Sequence, residues 1–278
     1  MVWVLLSACA SPPLAGEGTA PVPPPPDVAP AAAVPAPDAP PDVAVDVAPT
    51  TPESAVHLLN TPPDGWTDLR VALLGAQFDV RYHTADNFVG TPLPGYGAPG
   101  AWMRTEAAAA LVRVHEALGE RGFGVKIYDA YRPFRGTKAM VAWAHRTDQV
   151  FLLDNGYIAR RSHHNRGSTV DLSVFDRATG AELDMGTEWD TLSEASHTRN
   201  ATGVALENRL LLRDLMDSNG FEPYHKEWWH FVFRGDDEWP HRDVPYGCHE
   251  PAEGAWVEPT DWKTPGWTPP PLDLSACR

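Results

Sequence analysis

Two imidazoles and a carboxylate stand at spacings that suit a metal ion. His164 and Asp171 both lie in SHHNRGSTVD (162–171), and His230 closes the later run Glu227-Trp228-Trp229-His230. Three such ligands can bind a zinc ion and leave its fourth position open for water, which distinguishes a catalytic zinc site from a closed structural one. Glu227, three residues ahead of His230, lies outside this set and is placed to take a proton from that water. A lone histidine is more often packed or solvated, so the signal is the combination. His163, His197, His225, His241 and His249 read as packing or surface residues, with His163, next to a ligand, able to orient it.

These residues need elements to hold them. Residues 168–175 read as a strand bearing Asp171, fed by a turn at Asn165 and Gly167 that puts His164 on a loop. An aromatic strand over 228–233 carries His230. Residues i and i+3 of a regular strand face opposite ways, so Glu227 is expected before that strand or at a bend. Upstream the pattern predicts a strand around 78–82, a turn-rich loop over 91–100 holding Tyr96, and a helix over 105–121. That helix has Thr105 as N-cap and Leu111, Val114 and Leu118 on one face. GVKIYDAYRP (124–133) alternates as a strand with Val125, Ile127 and Asp129 on one side, ended by Pro133. Residues 136–146 are helical again. A last helix over 204–218, with Leu206, Leu210 and Leu211 on its apolar face, stops at Asn219-Gly220. The sum is an α+β domain over 56–235: a central antiparallel sheet, helices packed on it, and the metal cleft across the sheet.

The flanks differ. Residues 10–55 form a disordered Pro/Ala-rich tether, with PPPP at 23–26 and six acids but no Lys or Arg, too poor in apolar surface to fold. Residues 1–9 end in Leu6-Ser7-Ala8-Cys9, which resembles a bacterial lipoprotein signal. A lipidated Cys9 would tether the domain to a membrane and place it in the cell envelope, the alternative being cytoplasmic. The net charge of −15 argues against nucleic acid, which needs a basic footprint. Residues 236–278 form an irregular Pro/Trp-rich tail that wraps the domain through Trp239, Trp256, Trp262 and Trp267. Cys248 and Cys277 could pair there in an oxidising compartment. Nothing in the sequence decides the oligomeric state.

Four motifs stand together: DAYRP at 129–133, SxHxxGxxxD at 162–171, MGTxxD at 185–190 and ExWH at 227–230. The set, with DNFxG at 86–90, resembles the zinc-dependent D-alanyl-D-alanine dipeptidases, a branch of a wider group of D,D- and L,D-peptidases. The resemblance implies one Zn2+ per chain on His164, Asp171 and His230, with Glu227 as general base and then acid. It implies that Arg132 stabilises the oxyanion and that Asp190 meets the ammonium of a small dipeptide. Ser162, Tyr82 and Tyr96 would line the substrate pocket. Two alternatives remain: a D,D- or L,D-carboxypeptidase trimming peptidoglycan stem peptides, and a noncatalytic, zinc-stabilised lipoprotein that binds cell wall.

Overall fold

The computed structural model describes residues 61–247. The expected signal, tether, Cys9, Cys248, Cys277 and the three last tryptophans lie outside them. Among the described residues there are seven strands and five helices: β1 Trp66–Asp68, α1 Leu69–Ala72, β2 Gln77–Phe78, β3 Trp102–Arg104, α2 Thr105–Gly119, β4 Phe123–Asp129, α3 Phe134–Arg146, α4 Val150–Asp154, β5 Thr169–Asp176, α5 Gly203–Ser218, β6 Phe221–Pro223 and β7 His230–Phe233. β1 and β3 form a small antiparallel pair, and the main sheet runs β2-β4-β5-β7-β6. The expected α+β class and antiparallel sheet hold, except that edge strand β2 runs parallel to β4. No helix among the described residues is long and apolar enough to cross a membrane.

The core follows from strand alternation. Val125 sits opposite Val174 and Ile127 opposite Leu172, while Val170 sits opposite Phe231. All six are buried, so one sheet face is apolar across three strands, and burying such side chains is the main favourable term in folding. α2 forms from an Ala-rich run with buried Leu111, Val114 and Leu118 as expected. Its N-cap is Arg104 rather than Thr105, and it ends at Gly119. α5 buries Ala205, Arg209, Leu212 and Met216, a stripe rotated from the expected Leu206, Leu210 and Leu211, which are half-buried. Helical periodicity marks an apolar face, but what packs against the helix selects the residues that enter the core.

Three further expectations shift. The strand around 78–82 is only β2, and the chain then tightens into a 3-10 turn at Arg81–His83 that holds Tyr82. The strand over 228–233 begins at His230, leaving Trp228 and Trp229 in the preceding turn. Most consequential is β4. Its pairing with β5 slips between Ile127 and Asp129, so that Asp129 faces Asp171. Such a bulge reverses the side a residue points to. Asp129 therefore leaves the apolar face it was expected to share with Val125 and Ile127. Beyond β7, residues 236–247 form no helix or strand of their own but pack closely. Tyr246 is fully buried, and Trp239 stacks on Phe233 with ring centres 5.9 Å apart.

Candidate active site

The register of three strands assembles the site. Asp129 on β4 lies opposite Asp171 on β5, and Asp171 lies opposite His230 on β7. Cross-strand partners share a face, so this row sits on the side of the sheet away from the apolar core. His164 joins it from the 3-10 turn at His163–Arg166, just before β5. Ser162 caps that turn, its hydroxyl accepting from the His164 amide at 3.2 Å, and Asn165 Oδ1 accepts from the Ser162 amide at 3.2 Å. Gly167 closes the turn at φ +74°, where a Cβ would come within 2.2 Å of the Trp66 ring. The glycine of SxHxxGxxxD is thus required by both conformation and space.

The ligand atoms of His164, Asp171 and His230 lie within 4.8 Å of one another, and the three could hold a metal ion. His164 Nδ1 sits 2.6 Å from the Ala130 carbonyl oxygen, which can only accept, so Nδ1 donates there and Nε2 is the nitrogen turned to the site. That Nε2 is buried without a hydrogen-bond partner, 3.3 Å from Asp171 Oδ1. His230 Nδ1 approaches the same oxygen at 3.0 Å. A buried imidazole nitrogen without a partner, beside a carboxylate and a second imidazole, is a donor set that suits a cation, so the residues fit a metal.

Glu227 sits where the geometry requires. It precedes β7, and the His230 amide donates to its carbonyl at 3.3 Å, a turn that brings i and i+3 together. Its carboxylate is 3.6 Å from His230 Nδ1. Burial, with Asp171 and Asp190 adding, pushes this carboxyl well above the usual carboxylate range.

Arg132 lies three residues past the end of β4. Its Nε and Nη2 reach Asp129 Oδ2 at 3.0 and 2.9 Å, and Nη2 lies 3.9 Å from Asp171. Burial opposes the charge, but Asp129 and its neighbours outweigh that and keep the guanidinium protonated. Asp129 also takes the Tyr96 hydroxyl at 2.6 Å and lies 3.4 Å from His164 Nδ1. It is the residue that sequence reasoning missed. The signal was present: an acid three residues before Arg132, ending a strand whose other alternate positions are apolar.

Tyr82, Ser162, Arg132, Asp190 and Glu227 line one cavity of about 400 Å3 together with the three metal-compatible residues. Asp190 adopts φ +59° and accepts from the Tyr82 hydroxyl at 2.7 Å. Burial, then Asp171, drives its carboxyl up to about 8. Tyr157, Tyr224 and Trp229 also face this cavity, and none was singled out, because aromatic residues in turns carry no periodic signal.

Tyr96 does not line this cavity. It is buried behind it, because its hydroxyl is drawn to Asp129. Tyr96→Phe should therefore cost about 1–3 kcal/mol of stability, the penalty for unpairing a buried acceptor, and should lower kcat through Asp129 and Arg132. Urea unfolding and steady-state kinetics check this. A raised KM with kcat intact would return Tyr96 to the pocket wall.

The family model described as D-ala-D-ala dipeptidase matches residues 63–249. The D-alanyl-D-alanine dipeptidase of Enterococcus faecium is 34% identical over 192 residues, spanning 63% of this chain and 94% of that protein. That of Escherichia coli is 33% identical over 183 residues, 65% and 91% of the two chains. The chain belongs to the D-Ala-D-Ala dipeptidase family. It is accordingly a peptidase by family, and the matched region contains the whole row of Asp129, Asp171 and His230, the turns bearing His164 and Glu227, and the segment holding Asp190. A solved LD-carboxypeptidase aligns more loosely, with a TM-score of 0.34 at 18% identity over 65% of this chain and 76% of that one.

Proposed function

We propose that this protein is a zinc-dependent dipeptidase that hydrolyses D-Ala-D-Ala. The observation that carries this reading is a further acid, half-buried Asp190, in the same cavity as Asp171, Glu227 and Arg132. A metallopeptidase with this ligand set uses one carboxylate for the metal and one for proton transfer. A further one suits the free ammonium of a dipeptide, and an ammonium beside Asp190 would favour its ionised form.

Zinc held by His164, Asp171 and His230 would supply Lewis acidity toward the scissile carbonyl and toward water. Glu227 accepts the proton of the attacking water and returns it to the leaving amine, and a carboxyl raised above the usual range by burial is the better proton acceptor for it. Arg132, held by Asp129, offers guanidinium N–H groups to the oxygen that gains charge as the carbonyl is attacked. Tyr82 donates its hydroxyl to Asp190 and so orients the carboxylate toward the amine. Ser162 holds the turn that presents His164.

Parallel assay of D-Ala-D-Ala and an N-acylated peptide ending in it tests this. The free dipeptide should be favoured at least about 10²-fold in kcat/KM, because an acylated amine leaves Asp190 without a cationic partner. Cleavage of the acylated form alone would make the protein a carboxypeptidase. No turnover of either by the zinc-loaded protein would support the noncatalytic reading.

A further inference from the structure

Arg209, on α5, is a fully buried guanidinium that hydrogen-bonds no carboxylate. Nε donates to the Met185 carbonyl at 2.6 Å, Nη1 to Ala195 and His197 carbonyls at 3.1 and 2.8 Å, and Nη2 to Thr187 Oγ1 at 3.4 Å. Met185 and Thr187 begin the segment that carries Asp190, and Ala195 and His197 end it. One side chain therefore ties both ends of this loop to a helix packed in the core. The approach is close: a Cβ on Gly186 would lie 3.1 Å from Ala205 Cβ and 3.5 Å from Arg209 Nη2.

The same loop holds the turn of the other acid. Trp228 Nε1 donates to Thr187 Oγ1 at 2.8 Å, and the Trp228 amide donates to Ser196 O at 3.1 Å. Trp228 is the residue after Glu227. A buried cation with no carboxylate in hydrogen-bond contact is unfavourable, and Asp184 offsets only part of that cost, whereas an apolar residue here would leave three loop carbonyls without this donor. An apolar anchor would also remove the one side chain that bonds both ends of the loop to α5.

We propose that Arg209 is a positioning residue for the reaction, holding Asp190 and Glu227 at fixed places in a cavity it does not itself touch. The Asp190 part rests on the dipeptidase reading. The metal ligands come from β5, β7 and the 3-10 turn, so zinc binding should be independent of Arg209.

Arg209→Ala should keep one zinc per chain and raise KM for D-Ala-D-Ala at least about tenfold, the loss of hydrogen bonds to a charged group. Amide hydrogen exchange over 187–196 should quicken at least about tenfold, with β4 and β5 amides unchanged. In an Asp190→Asn background the Arg209 change should raise KM no more than about twofold, because both act on one interaction. Unchanged KM and loop exchange overturn the proposal. So does exchange quickened equally in β4 and β5 with the two substitutions adding independently, the mark of a purely structural residue. If Arg209→Ala does not fold, Arg209→Lys keeps the charge but cannot span both loop ends; it should show the same pattern at smaller size, and wild-type kinetics from it overturn the proposal. Should the wild-type protein fail to cleave the dipeptide, the function is wrong, and exchange confined to 187–196 still decides the role of Arg209 in the loop.

Discussion

Glu227→Ala should lower kcat by about 10²–10⁴-fold, the range expected for a lost general base, while zinc stays at one ion per chain. Glu227 is buried, and its nearest basic contact is His230 Nδ1 at 3.6 Å. It lies outside the group of His164, Asp171 and His230, so removing it leaves the metal-compatible set whole. Burial holds its carboxyl well above the usual range, which means that the folded protein keeps an acid where solvation is poor. Its removal relieves that strain, and the thermal midpoint should stay level or rise. A variant that unfolds or loses its metal would make Glu227 a structural residue. Metal analysis, calorimetry and kinetics on one preparation separate the cases.

Asp171→Ala should remove the metal itself. Asp171 Oδ1 is the oxygen that both imidazoles approach, at 3.3 Å from His164 Nε2 and 3.0 Å from His230 Nδ1. Without it the two rings retain no shared anionic partner. Zinc affinity should fall by more than the roughly 10–100-fold lost when a residue that only orients a ligand is changed. Activity should match that of chelated wild-type protein, and added zinc should restore only the wild type. Lost ligand binding also removes its linked stabilisation, so the variant should melt near the chelated wild type. Retention of zinc at wild-type affinity, measured by competition with a chromophoric chelator, would show that the metal is held elsewhere.

The metal-compatible group was legible because it is written in local runs. SxHxxGxxxD places a histidine in a turn and an acid in the strand that follows, and ExWH places an acid one turn before a histidine. The i, i+3 parity of a strand even required Glu227 to precede β7, and it does. Helix boundaries came within a few residues for the same reason. The errors lie where a distant partner decides. The stripe of α5 is rotated because the core selects Arg209 over Leu210 and Leu211. Tyr96 sits behind the cavity because its hydroxyl is drawn to Asp129, 33 positions away.

What the sequence determined by itself was the residue types on offer: two imidazoles and an acid able to share a cation, a further acid able to carry a proton and an arginine able to meet an anion, since residue type alone sets which atoms can bind or titrate. Only the tertiary structure decided how they meet. A slip in the β4–β5 pairing turned Asp129 to the active face, the registers of β5 and β7 brought Asp171 opposite His230, and Arg209 closed the loop of Asp190 from a helix beyond it. The physical reason is range. Coordination and acidity reside in single side chains and short motifs, whereas a bulge, a register or a buried clasp exists only once segments far apart in the chain have been paired.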